Sequence, residues 1–564
     1  MPDAPVRFWV ALALLLVMAA WLRFSGLSKH EVWFDEACTF YVVDHLFDFP
    51  PDGPDPRTEL AHVPYFFLLR CWTDLVGRTA WGLRSFSALC GVLAVGVVGL
   101  MASRLTGRGV GLIAAALAAV HPLHVYYSQE ARVYAFWTVE TMVVLWLLLS
   151  AARTERARAW FAFGMTAAVT VLTHYYTLFW LVGVAGAFLV VRHRRGVVRQ
   201  WLVTHLALTA FLVPTAWWLI VPLSRGGPTP WLTETWLGYP PLLAIPRSLW
   251  GLLPSGGNPD YLGTAAVAAE VAGRLYGGSA RLAATWGAAF ITCGLAALGL
   301  VAGRRQSNTK LGGPGGQDDW GADQALSLGP VAVFMVASVM LFLVSAWVYS
   351  AVVRPAYVVG RYDMAAWPAA VIAVALLIEG AARRLGTDSR THALGRVLFT
   401  AALAGCSSIT LLAARAVPAS HDTAERARRV AKTVANDDLV VSLGMYRWFM
   451  TYEWHRLGFA PQVVSFPTRH DRQLCWANAE AELADEAGIE RDLDTVTGTI
   501  EEALARGRRV WLLAHGEPEG ARWQVDRQLF ARLGERGIHL EGVDEWTGLA
   551  ALRLQSAGGR PAEE

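Results

Sequence analysis

Runs of roughly twenty apolar residues recur along this chain of 564 residues, and no other feature limits its fold so sharply. A bilayer core offers no partner to a bare peptide group, so each run must satisfy its own backbone as a helix. The candidate spans are residues 8–22, 84–103, 109–125, 133–151, 159–172, 177–191, 201–221, 282–302, 331–352, 364–378 and 397–414. The expectation is a polytopic α-helical membrane protein of about eleven transmembrane helices. Hydrophobic residues make up 54% of the chain and charged residues only 17%, which excludes a disordered chain and a simple soluble enzyme. The 25 tryptophans suit a chain with many membrane–water boundaries. Arg7 and Arg23 bracket the first span and no A-x-A cleavage pattern follows it, so it reads as a retained anchor with a cytoplasmic N-terminus.

Charge placement orients the spans. Residues 61–77 are apolar enough to tempt a count, but the segment is short and holds Arg70 and Asp74, each costing about 2.5–3.5 kcal/mol at a helix centre. Omitting it leaves Arg104, Arg108, Arg153, Arg156, Arg158, Arg192, Arg194, Arg195, Arg199 and later clusters such as Arg383–Arg384 on one side. The positive-inside rule makes that side cytoplasmic, and residues 61–77 become an amphipathic helix lying flat in the outer interface. Forty-nine basic against 46 acidic residues give a net charge of +3, too balanced for a nucleic-acid partner. Six scattered cysteines without C-x-x-C spacing indicate neither a disulfide scaffold nor a zinc site.

Two domains follow. Residues 1–416 form the transmembrane module, with an outer loop at 25–83 and a Gly-rich cytoplasmic linker at 303–328. Another outward loop, 224–279, is rich in Trp, Pro and Gly and suits an interfacial or re-entrant piece. Residues 417–564 alternate strand-length apolar runs, DLVVSL and RVWLLAH, with charged helical stretches at 499–506 and 521–536. That alternation predicts an α/β domain, extracytoplasmic by parity with the spans. It contains no G-x-G-x-x-G and no G-x-x-x-x-G-K-[ST], so no nucleotide site is indicated.

In this topology the chemistry-bearing residues gather on the outer face. The first loop carries His30, Glu31, Asp35, Glu36 and His62; the second outer connection reads HPLHVYYSQEARVY from His121 to Tyr134, with Tyr127, Glu130 and Arg132. The third is THYYT around His174, Tyr175 and Tyr176, and the fifth is RPAYVVGRYD, with Arg354, Arg361 and Tyr362. A carboxylate such as Asp35 beside aromatic surface is a candidate base, although taken alone Asp35 better suits the cap of a helix begun by Glu36. Arg132 and Arg361 beside tyrosines suit a forked clamp on a phosphate or snorkelling into the headgroup layer, the latter suiting Arg354 better. The histidines could be metal ligands or hydrogen-bonded interfacial residues. H-x-x-H at His121 and His124 completes no zinc signature, so no cofactor is assigned and a divalent metal is not indicated by spacing. Glu140 stands alone as an intramembrane carboxylate, best satisfied by a neighbouring span.

WFDEA at Trp33–Ala37, HVPYFFLLR at His62–Arg70 and YSQEARVYA at Tyr127–Ala135, with HYY at His174–Tyr176 and GRYDMAAWP at Gly360–Pro368, occur in order along the chain. Together they resemble the integral-membrane glycosyltransferases of the C superfamily, in the branch of protein O-mannosyltransferases and the lipid A aminoarabinose transferase. One departure is His62-Val63-Pro64, where members often carry two prolines after the histidine. The resemblance implies transfer of a sugar, with inversion, from a polyprenyl-phosphate donor to an acceptor hydroxyl outside the cytoplasm. It assigns catalysis to Asp35 as base and Glu36 as its helper, donor phosphate to Arg132, Arg361 and Tyr362, and orienting roles to Glu130, His62, His174, Tyr175 and Tyr127. The implied location is the plasma (inner) membrane, with membrane lipids and an acceptor of unspecified class as partners. A lipid or solute transporter would instead want several mid-membrane ionisable groups and broken, repeated helices. A membrane-anchored scaffold or sensor would leave the long first loop and the Arg–Tyr clusters without a purpose.

Overall fold

Six helices among the described residues are long and apolar enough to cross a membrane, and a seventh crossing exists if one bent helix pair counts as a span. The chain is a multi-pass membrane protein. The computed structural model describes residues 4–46, 62–190, 195–225, 236, 241–254, 328–385, 388–415, 422–444, 446–471, 479–514, 520–544 and 546–554. In chain order the helices are α1 (Ala4–Phe24), α2 (Phe34–Asp44), α3 (Val63–Val76), α4 (Ala80–Thr106), α5 (Arg108–Ala119), α6 (Pro122–Ser128), α7 (Tyr134–Thr154), α8 (Ala157–Thr173), α9 (Thr177–Val190) and α10 (Arg195–Arg225). They continue as α11 (Ala244–Leu252), α12 (Leu328–Val352), α13 (Trp367–Leu385), α14 (Ser389–Arg415), α15 (Asp422–Thr433), α16 (Tyr446–Leu457), α17 (Ala479–Ala484), α18 (Glu486–Ala505) and α19 (Gly520–Glu535). Ten of the eleven candidate spans coincide with these helices; the one at 282–302, the linker 303–328 and most of the loop 224–279 lie outside the described residues.

The chain divides into two compact units, a helical one comprising Met1–Leu27, Arg84–Pro228 and Leu232–Pro418, and a sheet-bearing one comprising Ser28–Leu83, Thr229–Trp231 and Ala419–Glu564. In the helical unit the helices approach closely where small residues face each other. A Cβ on Gly183 of α9 would lie 2.6 Å from the Ser338 carbonyl oxygen of α12, so only glycine permits that approach. Gly111 of α5 makes a similar contact with the Gly99 carbonyl of α4.

The span expected at 109–125 is not straight. It breaks by 63° between α5 and α6, because Pro122 lacks an N–H and cannot continue the helix behind it. The carbonyls freed at the end of α5 are met by Arg23 from the last turn of α1. This fully buried guanidinium donates to the Ala119 and Ala118 oxygens at 2.9 and 3.1 Å, and to His124 Nδ1 at 2.9 Å. Hydrogen bonds to a charged group contribute about 1.5–3 kcal/mol. Arg23→Met should therefore lower thermal stability in detergent by at least that much, and Arg23→Lys by less. Unchanged melting of the Met variant would show that other groups hold the break together.

The sheet-bearing unit contains a five-stranded sheet of β1 (Leu439–Leu443), β2 (Gln462–Phe466), β3 (Val510–Leu513), β4 (Ile538–Asp544) and β5 (Leu549–Leu554), ordered β2-β1-β3-β5-β4. The β2, β1 and β3 strands are parallel, and β5 and β4 extend the sheet antiparallel. Helices cover both faces, which is why LVVSL of β1 is apolar on nearly every residue and buried throughout. This is the α/β domain expected after residue 417. Less expected is that much of the first loop joins it: Phe40 and Tyr41 of α2 stack edge-on against Tyr452 and Trp448 of α16, at 5.4 and 4.9 Å. The Glu31 carboxylate accepts from the Thr423 and Ala424 amides at the start of α15, at 3.0 and 3.1 Å. No local sequence pattern reports a contact made across some four hundred residues.

Segment 61–77 forms α3, 14 residues long and too short to cross a bilayer. Its charges serve the fold: Arg70 Nε bonds Asp74, while Arg70 Nη1 meets the Val43 and Asp44 carbonyls at the end of α2, at 2.8 and 3.0 Å. Arg78 bonds Asp44 and Asp74. Hydrogen bonds from Arg78 and then Arg70 hold the Asp74 carboxyl below the usual range.

Behind the sheet, His470 Nε2 donates to Glu482 Oε1 at 2.7 Å, and Arg522 bonds both Glu482 Oε2 at 2.7 Å and Asp526. Burial alone would raise the Glu482 carboxyl; the hydrogen bond and charge of His470, with Arg522, outweigh it and hold the group below its ordinary 4.5. A depressed carboxylate contributes stability that is present above about pH 4.5 and lost as pH falls through the lower folded value. Glu482→Gln should cost this unit about 3–5 kcal/mol, the penalty for breaking a buried ionic pair from one side. Denaturant unfolding of the full chain followed by proteolysis checks it, and the variant should lose part of the acid dependence.

Candidate active site

Two separate sets of candidate residues emerge, one in each unit. In the sheet-bearing unit, WFDEA starts α2. The helix begins at Phe34, with Trp33 at the N-cap, and Glu36 Oε2 reaches back to accept from the Trp33 amide at 3.4 Å. The reading of Asp35 as cap to a helix begun by Glu36 is thus reversed: Glu36 is the capping carboxylate and Asp35 is the second helical residue. Local cap chemistry permits either carboxylate, and the one three residues past the cap has the reach. Asp35 and Glu36 are both buried, at 8% and 1% exposure, at the positive end of the helix. His62 stands at the N-cap of α3 in the same unit, its ring 6.1 Å from that of Phe66.

In the helical unit, a reciprocal clamp holds the turn from Gln129 to Val133. As Arg23 caps α5, Gln129 Nε2 caps α1, reaching the Leu22, Arg23 and Ser25 carbonyls at 3.2, 3.2 and 2.9 Å. Ser87 Oγ adds a bond to the Arg132 carbonyl at 3.2 Å. Glu130 and Arg132 ride this turn, each 8% exposed. Its two flanks, Tyr127 and Tyr134, meet with ring centroids 4.7 Å apart.

Around Tyr134 an aromatic cluster assembles. Arg361 Nε donates to the Tyr134 hydroxyl at 2.5 Å, and its guanidinium carbon lies 5.4 Å from that ring's centre. Arg361 is aimed by a tight turn in which Gly360, at φ +76°, donates its amide to Asp363 Oδ2 at 2.8 Å. Tyr362 then meets His174 at 5.2 Å, Tyr175 at 6.2 Å and Tyr176 at 4.6 Å. His174 is stacked on Trp137 at 4.1 Å and accepts from the Tyr176 amide through Nδ1 at 3.2 Å. Burial pushes the Tyr175 phenol well above its ordinary value, so it remains a neutral hydrogen-bonding group.

Tyr127, His174, Tyr175, Arg361 and Tyr362 are thus gathered from three separate stretches of chain. Tyr134, Trp137 and Tyr176 belong to the same cluster and were not among the expected site residues. Tyr134 and Tyr176 lie inside the quoted motifs; Trp137 carries no signal beyond its place one turn after Tyr134. His121 and His124 do structural work: His121 Nε2 meets the Leu252 carbonyl at 3.3 Å, and His124 stacks on Trp367 at 3.8 Å. Among the described residues no group of three or more His, Cys, Asp and Glu could hold a metal ion. Thr173 Oγ1 donates to Glu140 at 3.0 Å, the neighbouring-span bond expected for that carboxylate.

Residues 62–220 match the family model of the dolichyl-phosphate-mannose-protein mannosyltransferases. Among solved structures, ArnT from Cupriavidus metallidurans in the apo state aligns at 13% identity and a TM-score of 0.53, covering 99% of this chain and 100% of that one. The same protein bound to undecaprenyl phosphate aligns at 12% identity, TM-score 0.53, with the same coverage. The chain has the same fold as ArnT. The identity is low enough that this likeness concerns the fold alone, over nearly the full length of both chains. A sequence search among curated proteins returns no match. Within the fold, the family-model match takes in α3, the Gln129–Val133 turn and the HYY connection, three of the five motif strings quoted from the sequence.

Proposed function

We propose that this chain is a membrane glycosyltransferase that moves a sugar from a polyprenyl-phosphate donor to an acceptor hydroxyl on the extracytoplasmic face, with inversion at the anomeric carbon. The observation that carries this reading is half-buried Arg361 bonded to buried Tyr134, set among Tyr362, His174 and Tyr175 in a chain with no nucleotide-binding motif. A guanidinium among phenol hydroxyls is built for an anion that leaves as phosphate. The solved structure of the same fold with undecaprenyl phosphate bound supports a lipid-phosphate donor, and the mannosyltransferase family match supports sugar transfer. In this reading Asp35 takes the acceptor proton as the hydroxyl attacks the anomeric carbon opposite the phosphate. Glu36 fixes the helix start that carries Asp35. Arg132, Arg361 and Tyr362 stabilise the charge developing on the departing phosphate, Glu130 orients Arg132, and His62, His174, Tyr175 and Tyr127 orient donor or acceptor. The sheet-bearing unit is extracytoplasmic, the N-terminus cytoplasmic, and the membrane is the plasma (inner) membrane.

Transport makes the opposite demand on the donor. Purified protein given a lipid-linked sugar labelled in the sugar should release free polyprenyl phosphate and pass the label to an envelope-derived acceptor. A donor that crosses the membrane intact, with no polyprenyl phosphate released, would overturn the proposal. Glu140 is already engaged by Thr173, and Glu379 is held by Arg383 and Arg396, so neither supports a proton relay.

A further inference from the structure

A groove of about 670 Å³ runs between α8 and α10, and none of its lining residues belongs to the motif strings. Its floor comes from Trp160, Gly164 and Ala168 on one helix and Gln200, Thr204 and Ala207 on the other. Gly164 meets Thr204 closely, so the small residues seat the helices while leaving a channel beside the contact. On its rim Phe161, Val203 and Phe211 are 70%, 59% and 56% exposed, which in a membrane-spanning chain means facing acyl chains.

The two ends of the groove differ. Ala157, Gly196 and Arg199 line one end, and there both helices begin, so two helix N-termini present their positive poles together. Arg199, Arg156 and Arg158 are exposed at that end, and the carboxylate of Glu155 lies beside Gly196. The other end, at Ala168, Leu208 and Phe211, is apolar. Next to the basic end, Trp160 is 3% exposed and its Nε1 has no hydrogen-bond partner among the described residues; the buried Oε1 of Gln200 likewise has none. A buried donor and a buried acceptor left unmatched, both on residues lining the groove, call for a ligand that offers an acceptor and a donor in return.

We propose that this groove is a binding site for one anionic glycerophospholipid. Its phosphate sits at the paired helix N-termini against Arg199, Arg156 and Arg158. An ester carbonyl accepts from Trp160, a hydroxyl of the lipid's polar headgroup donates to Gln200, and an acyl chain fills the channel past Thr204. The volume falls within the roughly 300–1,000 Å³ of small-molecule sites. The site is independent of sugar transfer and would stand or fall separately from it.

The full-length protein, stripped of lipid in detergent, should be titrated with phosphatidylglycerol, phosphatidylcholine or glycerol phosphate and followed by native mass spectrometry. The expected result is one retained phosphatidylglycerol per chain, weaker retention of phosphatidylcholine, and none of glycerol phosphate, which lacks the chains. Arg199→Gln, at an exposed position with little bearing on folding, should weaken phosphatidylglycerol binding on the order of fivefold, the value of one cation near an anionic lipid surface. Ala207→Trp should block binding with the headgroup end intact. Equal retention of phosphatidylcholine, or phosphatidylglycerol binding unchanged in both variants, would overturn the proposal, as would glycerol phosphate binding as well as the lipid.

Discussion

Asp35→Asn is expected to lower turnover by about 10²–10⁴-fold, the usual contribution of a general base, with donor binding and membrane insertion retained. The substitution is nearly isosteric. The Thr39 hydroxyl bonds the Asp35 backbone carbonyl at 2.9 Å, so that local contact survives the change. Glu36→Gln supplies the contrast, since a glutamine carbonyl can still accept from the Trp33 amide and keep the helix start. If Asp35 is the base, the Asn variant should fall far below the Gln variant in kcat, with similar affinity for the lipid donor in both. An Asn variant within tenfold of the parent would remove Asp35 from the chemistry and leave it a buried first-turn residue of α2. The measurement is single-turnover transfer of a labelled sugar, which separates the chemical step from product release.

Much of this architecture is legible in the sequence because its cause is local. Hydrophobic run length placed helices at ten of the eleven candidate spans because a bilayer enforces helices of nearly fixed length. The shift to short apolar strands after residue 417 announced the sheet because a central parallel strand must be apolar on both faces, as LVVSL is. What escaped inspection depends on distant partners. Pro122 signals a break, but not that Arg23, nearly a hundred residues earlier, closes it. Gln129 in YSQEARVYA looks like one more polar residue, yet its amide holds the end of α1 and so fixes the turn bearing Arg132. The grouping of the first loop with the C-terminal sheet depends on Phe40 and Tyr41 finding rings on α16, a match of shapes with no periodic signature. The site residues divide the same way. HYY and GRYD were conspicuous as clusters of chemistry-bearing types, whereas Trp137 joins them only through its stacking on His174.

Arg361→Ala is the second large expected effect, a fall of about 10²–10³ in kcat, equivalent to roughly 2.7–4 kcal/mol of lost stabilisation of a developing anion. The magnitude follows from setting: Arg361 is partly buried, joined to Tyr134 and flanked by Tyr362, where water screens a charge poorly. Arg361→Lys should recover only part of the loss, because an ammonium offers a point charge where the guanidinium offers a fork that can hold Tyr134 and a phosphate oxygen together. Tyr134→Phe tests the aim of that fork. It leaves the ring that stacks on Tyr127 and removes only the hydroxyl, so the cluster stays packed while Arg361 loses its tether. Its loss should be smaller than that of Arg361→Ala and should vanish in the Arg361→Ala background, since the hydroxyl then has no guanidinium to hold. Additive losses in the double variant would mean that Tyr134 acts on the substrate directly. An Arg361→Ala variant with unchanged kcat and unchanged affinity for polyprenyl phosphate would return Arg361 to the headgroup layer, leaving Arg132 as the remaining candidate for the leaving phosphate.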